Sequence, residues 1–514
     1  MDQPTPASSN KTTYTACLNC REKHVKCDGN LDGCNRCISL NLFCHYVPSR
    51  RGRKGQPSDQ TLLYPYHISG IEDNDLSMEM CLPLTATDGT SPSYQVDHQS
   101  ALSTADRYLI GIYYAHFHQA HPALPPRYVW AASSPPKYLV DLMECIGLHY
   151  LSSLPPSDRI RELRVAVDGA ELSIEKTQAY LLLSVLLHGR EIPDGARECI
   201  GHAIECSLQL GLHIPDFSNG IETQNPAIAE SIRRTWWEIL VIDTLLAAVQ
   251  RGGTLQFRKE VPDMPLPRDE HSGDPTSSVT MKDMNRLGIL TEHEHSPLAY
   301  RIEAALILRQ CLIVHETHPS QESLDMLDAT ISAWFHRWPS KRKAIIQFNG
   351  EVNQMDFQAA MIMQLSTIYL HFPRSFLLTF LPNTCQVFCS GPPSFPSPTE
   401  RPQIHTAKVV SAAVELSKLV SLSTSVINHS PFTGCSLVVS SIVQMAVLSS
   451  QAQQPFGKHH SFLAVNIGVL HSMGATWTIA ATAMGRLRVI AYEIETACGG
   501  NEMLDNMPFL SILP

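Results

Sequence analysis

Residues 17–44 read CLNCREKHVKCDGNLDGCNRCISLNLFC. Cys17, Cys20 and Cys27 are followed by Cys34, Cys37 and Cys44, so each half reads C-x2-C-x6-C and the second half repeats the first at a shift of 17 residues. Two cysteines separated by two residues grip one metal ion, and zinc takes such thiolates tetrahedrally at about 2.3 Å. Two tetrahedral zinc ions need eight ligand positions, which six thiolates fill only if two of them bridge. The spacing therefore predicts one small cluster, with two Zn2+ per chain held by these six cysteines, rather than two independent fingers. So short a segment has too little apolar surface to fold alone, and metal-binding energy becomes its folding energy.

Positive charge is woven through the repeat. Arg21, Lys23, His24 and Lys26 stand between Cys20 and Cys27, Arg36 stands in the second half, and Arg50, Arg51, Arg53 and Lys54 follow it. Six thiolates and two Zn2+ sum to −2, so part of this charge compensates the cluster. Cys17 to His24 can form a short helix pinned by metal at one end, projecting Lys23 and His24 outward. A helix of that size presents a few side chains to major-groove base edges while other basic groups hold phosphates. The run from Arg50 to Lys54 suits phosphate contact or a nuclear import signal. A solvated linker start is the blander reading.

The net charge of the 514-residue chain is −10, which conceals an asymmetry. Residues 1–60 carry nine Lys/Arg against five Asp/Glu, a local +4 that leaves −14 on the remainder. A basic head on an acidic body is a local footprint for an anion. Residues 1–13 read as a disordered tail, 14–50 as the cysteine module, and 51–100 as a flexible linker, first basic and then acidic. From Gly55 to Ser100 there are seven Asp/Glu and no Lys or Arg, with Pro57, Pro65 and Pro83 as breakers and no heptad repeat.

Residues 101–490 read as one large all-α domain, so the fold class is mainly α. Helical periodicity marks Glu175–Leu187, Ala196–Leu210, Ala227–Val249, Leu298–Val314, Glu322–Trp338, Phe357–Leu370, Thr406–Leu422, Cys435–Leu448, Phe462–Met484 and Leu487–Ala497, with no convincing strand alternation. Proline-rich loops at Pro262–Pro275 and Pro382–Pro402 interrupt them. Residues 491–514 mix acidic and apolar side chains. Such a mixture suits an activation segment that folds onto a partner, or a packed helix end followed by a loose terminus.

The other motifs are weak. Met1 to Thr15 is polar and has no signal-peptide core, and the nine cysteines outside the repeat are scattered, so a reducing compartment is expected. Cys206, Cys311 and Cys435 fall in apolar helical patterns, where cysteine acts as a small hydrophobe. Phe462–Gly485 has no charged residue, but Asn466 and His471 within it favour a buried core helix over a membrane span. His315-Glu316-Thr317-His318 is one residue short of the helical zinc-protease spacing. No phosphate-cradling glycine loop or nucleophile elbow is present, so no catalytic residue and no enzymatic activity is expected.

The string ACLNCREKHVKCDG and the spacing C-x2-C-x6-C-x6-C-x2-C-x6-C resemble the fungal Zn2Cys6 binuclear-cluster transcription factors. Further resemblances are SIRRTWWEILVID, from Ser231 to Asp243, AIECSLQLGLH, from Ala203 to His213, and YLHFPRSFL, from Tyr369 to Leu377. These are similar to the fungal-specific regulatory domain of that family. The resemblance implies that Cys17 and Cys34 bridge, that Cys20 and Cys27 complete one zinc site, and that Cys37 and Cys44 complete the other. It implies a nuclear, sequence-specific regulator of RNA polymerase II genes that binds double-stranded DNA at CGG-like triplets, with Lys23 in the base-reading region. His24 stands where a second Lys or Arg is usual, and Asp32-Gly33 stands near the usual place of a proline. A secondary-metabolite or catabolic gene cluster is the expected target, and a homodimer through the helical body and transcription co-regulators are the expected partners; no membrane is involved. The alternative is a zinc-dependent protein-interaction module without DNA binding. Within the body, Trp236 and Trp237 read as core anchors, and Arg233 or Arg234 is expected to pair with a carboxylate such as Asp243.

Overall fold

The computed structural model describes residues 20, 25–28, 35–36, 104–132, 134–151, 157–215, 217, 221, 225–250, 253–268, 279–284, 295–316, 320–338, 345–347, 349–381, 401–423, 425–450 and 458–497. The chain divides into two units, Met1–Gln95 and Val96–Pro514. In the second unit the order of helices is α1 Thr104–Ile112, α2 Arg127–Ala132, α3 Lys137–His149, α4 Ser157–Asp168, α5 Ile174–Gly189, α6 Pro193–Leu210 and α7 Pro226–Val249. There follow α8 Pro297–Glu316, α9 Gln321–Arg337, α10 Gln354–His371, α11 Pro402–Ser421, α12 Pro431–Ser450, α13 Lys458–Gly474 and α14 Thr478–Ala497. Among the described residues there is no strand, only two isolated bridges, Pro265 with Thr280 and Ile346 with Val352. The all-α expectation for the body is met.

Local chemistry sets the helix ends. The Ser173 hydroxyl accepts from Lys176 N–H at the start of α5, and Asn225 accepts from Ile228 N–H at the start of α7. Each satisfies a donor that the first helical turn leaves without an intrahelical partner. Pro193, Pro226 and Pro402 each lie in the first turn, where a missing N–H costs nothing. Helix α6 stops at Gly211 with φ 79°, a left-handed C-cap for which glycine carries no steric cost.

Helix α7 is the central post, packing against α5, α6, α8 and α12. Its side chains from Ser231 to Val249 are all buried, including both tryptophans. Trp236 meets Phe257 edge to face at 5.6 Å, and Trp237 Nε1 donates to Pro265 O at 2.9 Å. Both are core anchors, as the sequence suggests. Around this post α8 lies along α10, α5 along α6, and α10 through α14 pack each against the next.

Three differences from the sequence reading have clear causes. Phe462–Met484 is not one helix: α13 ends at Gly474 and α14 starts at Thr478. The break seats Trp477, fully buried, against Gly189 of α5, where a Cβ would collide with the indole. Among the described residues the one helix apolar and long enough to cross a membrane is Pro431–Ser450, and it is largely buried in the protein, so it is a core helix. Helices α3 and α4 escape the periodicity reading. Two prolines introduce α3, and α4 is so charged that only Ile160, Leu163 and Val167 reach the core.

Candidate nucleic-acid interface

Within the cysteine repeat, Cys20 is helical and 0% exposed. Val25 N–H donates to Cys20 O at 3.0 Å, a bond spanning five residues of the kind that closes a helix in a Schellman turn. Beyond it Val25 is 39% exposed, Lys26 is exposed and Cys27 is half-buried. The arrangement inverts an ordinary core: among the described residues of this segment the fully buried side chain is a thiol, while the aliphatic one faces water. That fits a donor set organised around a metal rather than around hydrocarbon.

The two halves of the repeat are joined by a contact that sequence reasoning missed. Asn35 N–H donates to the Asp28 carboxylate, 3.1 Å from Oδ1 and 3.2 Å from Oδ2. Asp28 follows Cys27 directly, and Asn35 and Arg36 are helical directly after Cys34. Arg36, expected among the DNA-binding residues, is half-buried, whereas Lys26 is exposed. Cys17, Cys34, Cys37, Cys44, Arg21, Lys23, His24, Arg50, Arg51, Arg53 and Lys54 lie outside the described residues. Among the described residues no group of three or more His, Cys, Asp or Glu stands ready for a metal.

The helical body holds a buried polar frame. Arg301 on α8 faces Glu238 on α7 with both ends of its guanidinium: Nη2 donates to Oε1 at 3.0 Å, and Nη1 donates to Oε2. Arg301 Nε donates to Gln358 Oε1 at 2.7 Å, and Gln358 Nε2 donates to Ala120 O at 3.0 Å. His121 lies 2.9 Å from Glu238 through Nδ1 and 3.0 Å from the Ser430 hydroxyl through Nε2. Burial works against the Glu238 charge, but Arg301 and His121 overcome it and hold the carboxyl down at about 2. One frame thus ties α7, α8, α10, the chain after α1 and the chain before α12.

Arg233 and Arg234 do pair with a carboxylate, as expected, but it is Glu230 and not Asp243. Both arginines bind Glu230, one turn earlier on α7, with Arg234 Nε at 3.0 Å from Oε1. Asp243 instead accepts from Gln256 N–H at 3.0 Å, Phe257 N–H at 3.2 Å and Arg309 Nη1 at 3.3 Å. It fixes the chain that leaves α7 against α8. Cys145, Cys199, Cys206 and Cys311 are buried thiols of the body, as small hydrophobes should be.

Three buried histidines give the body an acid limit. Burial holds His188 down at about 3, and His149 and His429 at about 4. Each is neutral in the folded protein at neutral pH and takes up its proton near pH 6.5 once unfolded. Their contribution is therefore complete above about pH 6.5 and is lost as the pH falls from there toward 4. Stability should drop across this window by about 1.4 kcal/mol per pH unit for each histidine. Urea unfolding followed by far-UV circular dichroism at pH 7, 6 and 5 measures the slope, and a flat profile would contradict the burial assigned to these rings.

Comparison with known proteins agrees with both halves. Residues 15–54 match the family model described as the fungal Zn(2)-Cys(6) binuclear cluster domain, and residues 112–347 match the fungal specific transcription factor domain. The C6 finger domain transcription factor iacK of Pestalotiopsis fici is 28% identical over 95% of this chain and 82% of its own length. The transcription factor rglT of Emericella nidulans is 39% identical over 14% of this chain and 15% of its own. That of Aspergillus fumigatus is 35% identical over 12% of this chain and 18% of its own. No solved structure matches the chain.

Proposed function

Because the chain belongs to the fungal Zn2Cys6 transcription factors with a fungal-specific regulatory domain, and is a zinc-dependent DNA-binding transcription regulator, we propose a specific division of labour among its residues. Cys17, Cys20, Cys27, Cys34, Cys37 and Cys44 hold two zinc ions, with Cys17 and Cys34 shared. Zinc supplies the folding energy that residues 14–50 cannot draw from apolar burial. Lys23, beside His24, reads base edges in the major groove at CGG-like triplets. Arg21, Lys26, Arg36 and the run Arg50, Arg51, Arg53 and Lys54 serve phosphates. Residues 51–100 link this module to the helical domain of residues 101–490, through which the protein dimerises and meets co-regulators in the nucleus. The observation that carries the reading is the buried Cys20 one turn from the exposed Val25 and Lys26.

Selection from a randomised duplex pool with the full-length, zinc-loaded protein tests this reading. A recovered CGG-like half-site supports it, and its spacing reports the oligomeric state. A pool that stays random, with zinc retained, would favour a protein-interaction module. Lys23→Ala should cost about 1–3 kcal/mol of discrimination between the selected site and its variants. Equal losses on selected and random duplexes would assign Lys23 to the phosphates instead.

A further inference from the structure

The 17-residue repeat is nearly symmetric in its cysteines, but the contact between its halves has no symmetric counterpart in the sequence. The repeat shift carries Asp28 to His45 and Asn35 to Leu18. No second carboxylate therefore follows the last cysteine to receive a backbone donor from the first half. Among the described residues, Asp28 carries the contact from the first half to the second. Its two oxygens share the Asn35 N–H at 3.1 and 3.2 Å.

A carboxylate that accepts the leading N–H of a helical turn satisfies a donor with no intrahelical partner, and its negative charge suits the positive end of the peptide dipoles. Here the acceptor and the donor each adjoin a cysteine of the repeat, Cys27 and Cys34. The bond thus ties the helical turn at Asn35 and Arg36 to the end of the first half. Asp28 is exposed, and an exposed carboxylate beside a phosphate-binding surface is costly unless it has such a task.

The geometry points to Asp28 as a positioning residue for DNA recognition: it holds the second half of the repeat, and Arg36 with it, in register with the base-reading first half. This rests on the DNA-binding reading above. Asp28 is assigned no contact with DNA and none with metal.

The test compares full-length wild type with Asp28→Ala and Asp28→Asn. It reads the zinc content, the affinity for the selected duplex as a function of salt, and hydrogen exchange of the peptide spanning residues 28–36. Asp28→Ala should keep its zinc, lose about fivefold to tenfold in affinity and deprotect the Asn35 amide. The slope of log affinity against log salt should fall by no more than about one unit, because Arg36 is the one phosphate-serving residue that Asp28 positions. Asp28→Asn keeps an acceptor oxygen and should recover most of the affinity and protection.

Wild-type affinity in Asp28→Ala would overturn the proposal, as would loss of zinc along with affinity. So would an Asp28→Asn protein as weak as Asp28→Ala, which would reduce Asp28 to a charge. Should the wild-type protein select no duplex, the DNA reading fails, and this role for Asp28 falls with it. Exchange at Asn35 then still reports whether the clip itself exists.

Discussion

Cys27→Ala is expected to abolish zinc-dependent, sequence-specific DNA binding while leaving the helical body folded. A structural zinc contributes folding energy outright, and a segment this short has nothing comparable to replace it. If the six cysteines hold two zinc ions as proposed, no ligand is spare, and loss of Cys27 would leave the cluster one thiolate short. Affinity for the selected duplex should fall by about a thousandfold or more, to the level of any basic segment on random DNA. Zinc content, measured on the purified full-length protein, should fall with it. Cys206→Ala is the control: that thiol is buried in α6 of the body, so its loss should leave the zinc content and DNA binding unchanged. A Cys27→Ala protein that still selects its site would refute the six-thiolate cluster.

Removing Arg301 is expected to destabilise the body by about 3–5 kcal/mol. Arg301 is 0% exposed and Glu238 only 4%, so neither partner can turn to water when the other is lost. Arg301→Ala strands the Glu238 carboxylate and leaves the Gln358 oxygen without its donor. A penalty of this size is a large fraction of what an ordinary domain has to spare. Replacing both charges, as in Glu238→Gln with Arg301→Met, should recover part of the loss, because the penalty comes from the uncompensated charge and not from the missing attraction. Urea unfolding of the two single variants and the double variant measures the coupling. A single-variant cost below about 1 kcal/mol would show that water reaches the pair, as it does for surface ion pairs.

What the sequence revealed follows the range of the interactions. The cysteine repeat was legible because metal ligation needs particular residue types at fixed spacing. The strongly apolar helices were legible because their burial repeats within one turn: Ala227–Val249 on the page of sequence is Pro226–Val249 in the structure. Helix α4 was not, since three apolar positions among charged ones give too faint a stripe.

The partners of the buried charges were the hardest to read. Glu238 meets Arg301 from 63 residues away, and Asp243 meets Arg309 from 66, and no local pattern specifies such pairs. The binding of Arg233 and Arg234 to Glu230 at helical spacing, by contrast, was available locally and was passed over for Asp243. Asp28 also had a local signal, a carboxylate on one half of the repeat where the other half has His45.

The most direct measurement is the affinity ratio between a selected duplex and a random one, taken on the full-length protein at fixed salt. It is taken with zinc bound, after chelation, and after zinc is restored. The zinc-loaded protein should prefer the selected duplex by about a thousandfold or more, the stripped protein should show a ratio near one, and restored zinc should bring the preference back. A ratio that survives zinc removal, or one near one in the zinc-loaded protein, would contradict the account.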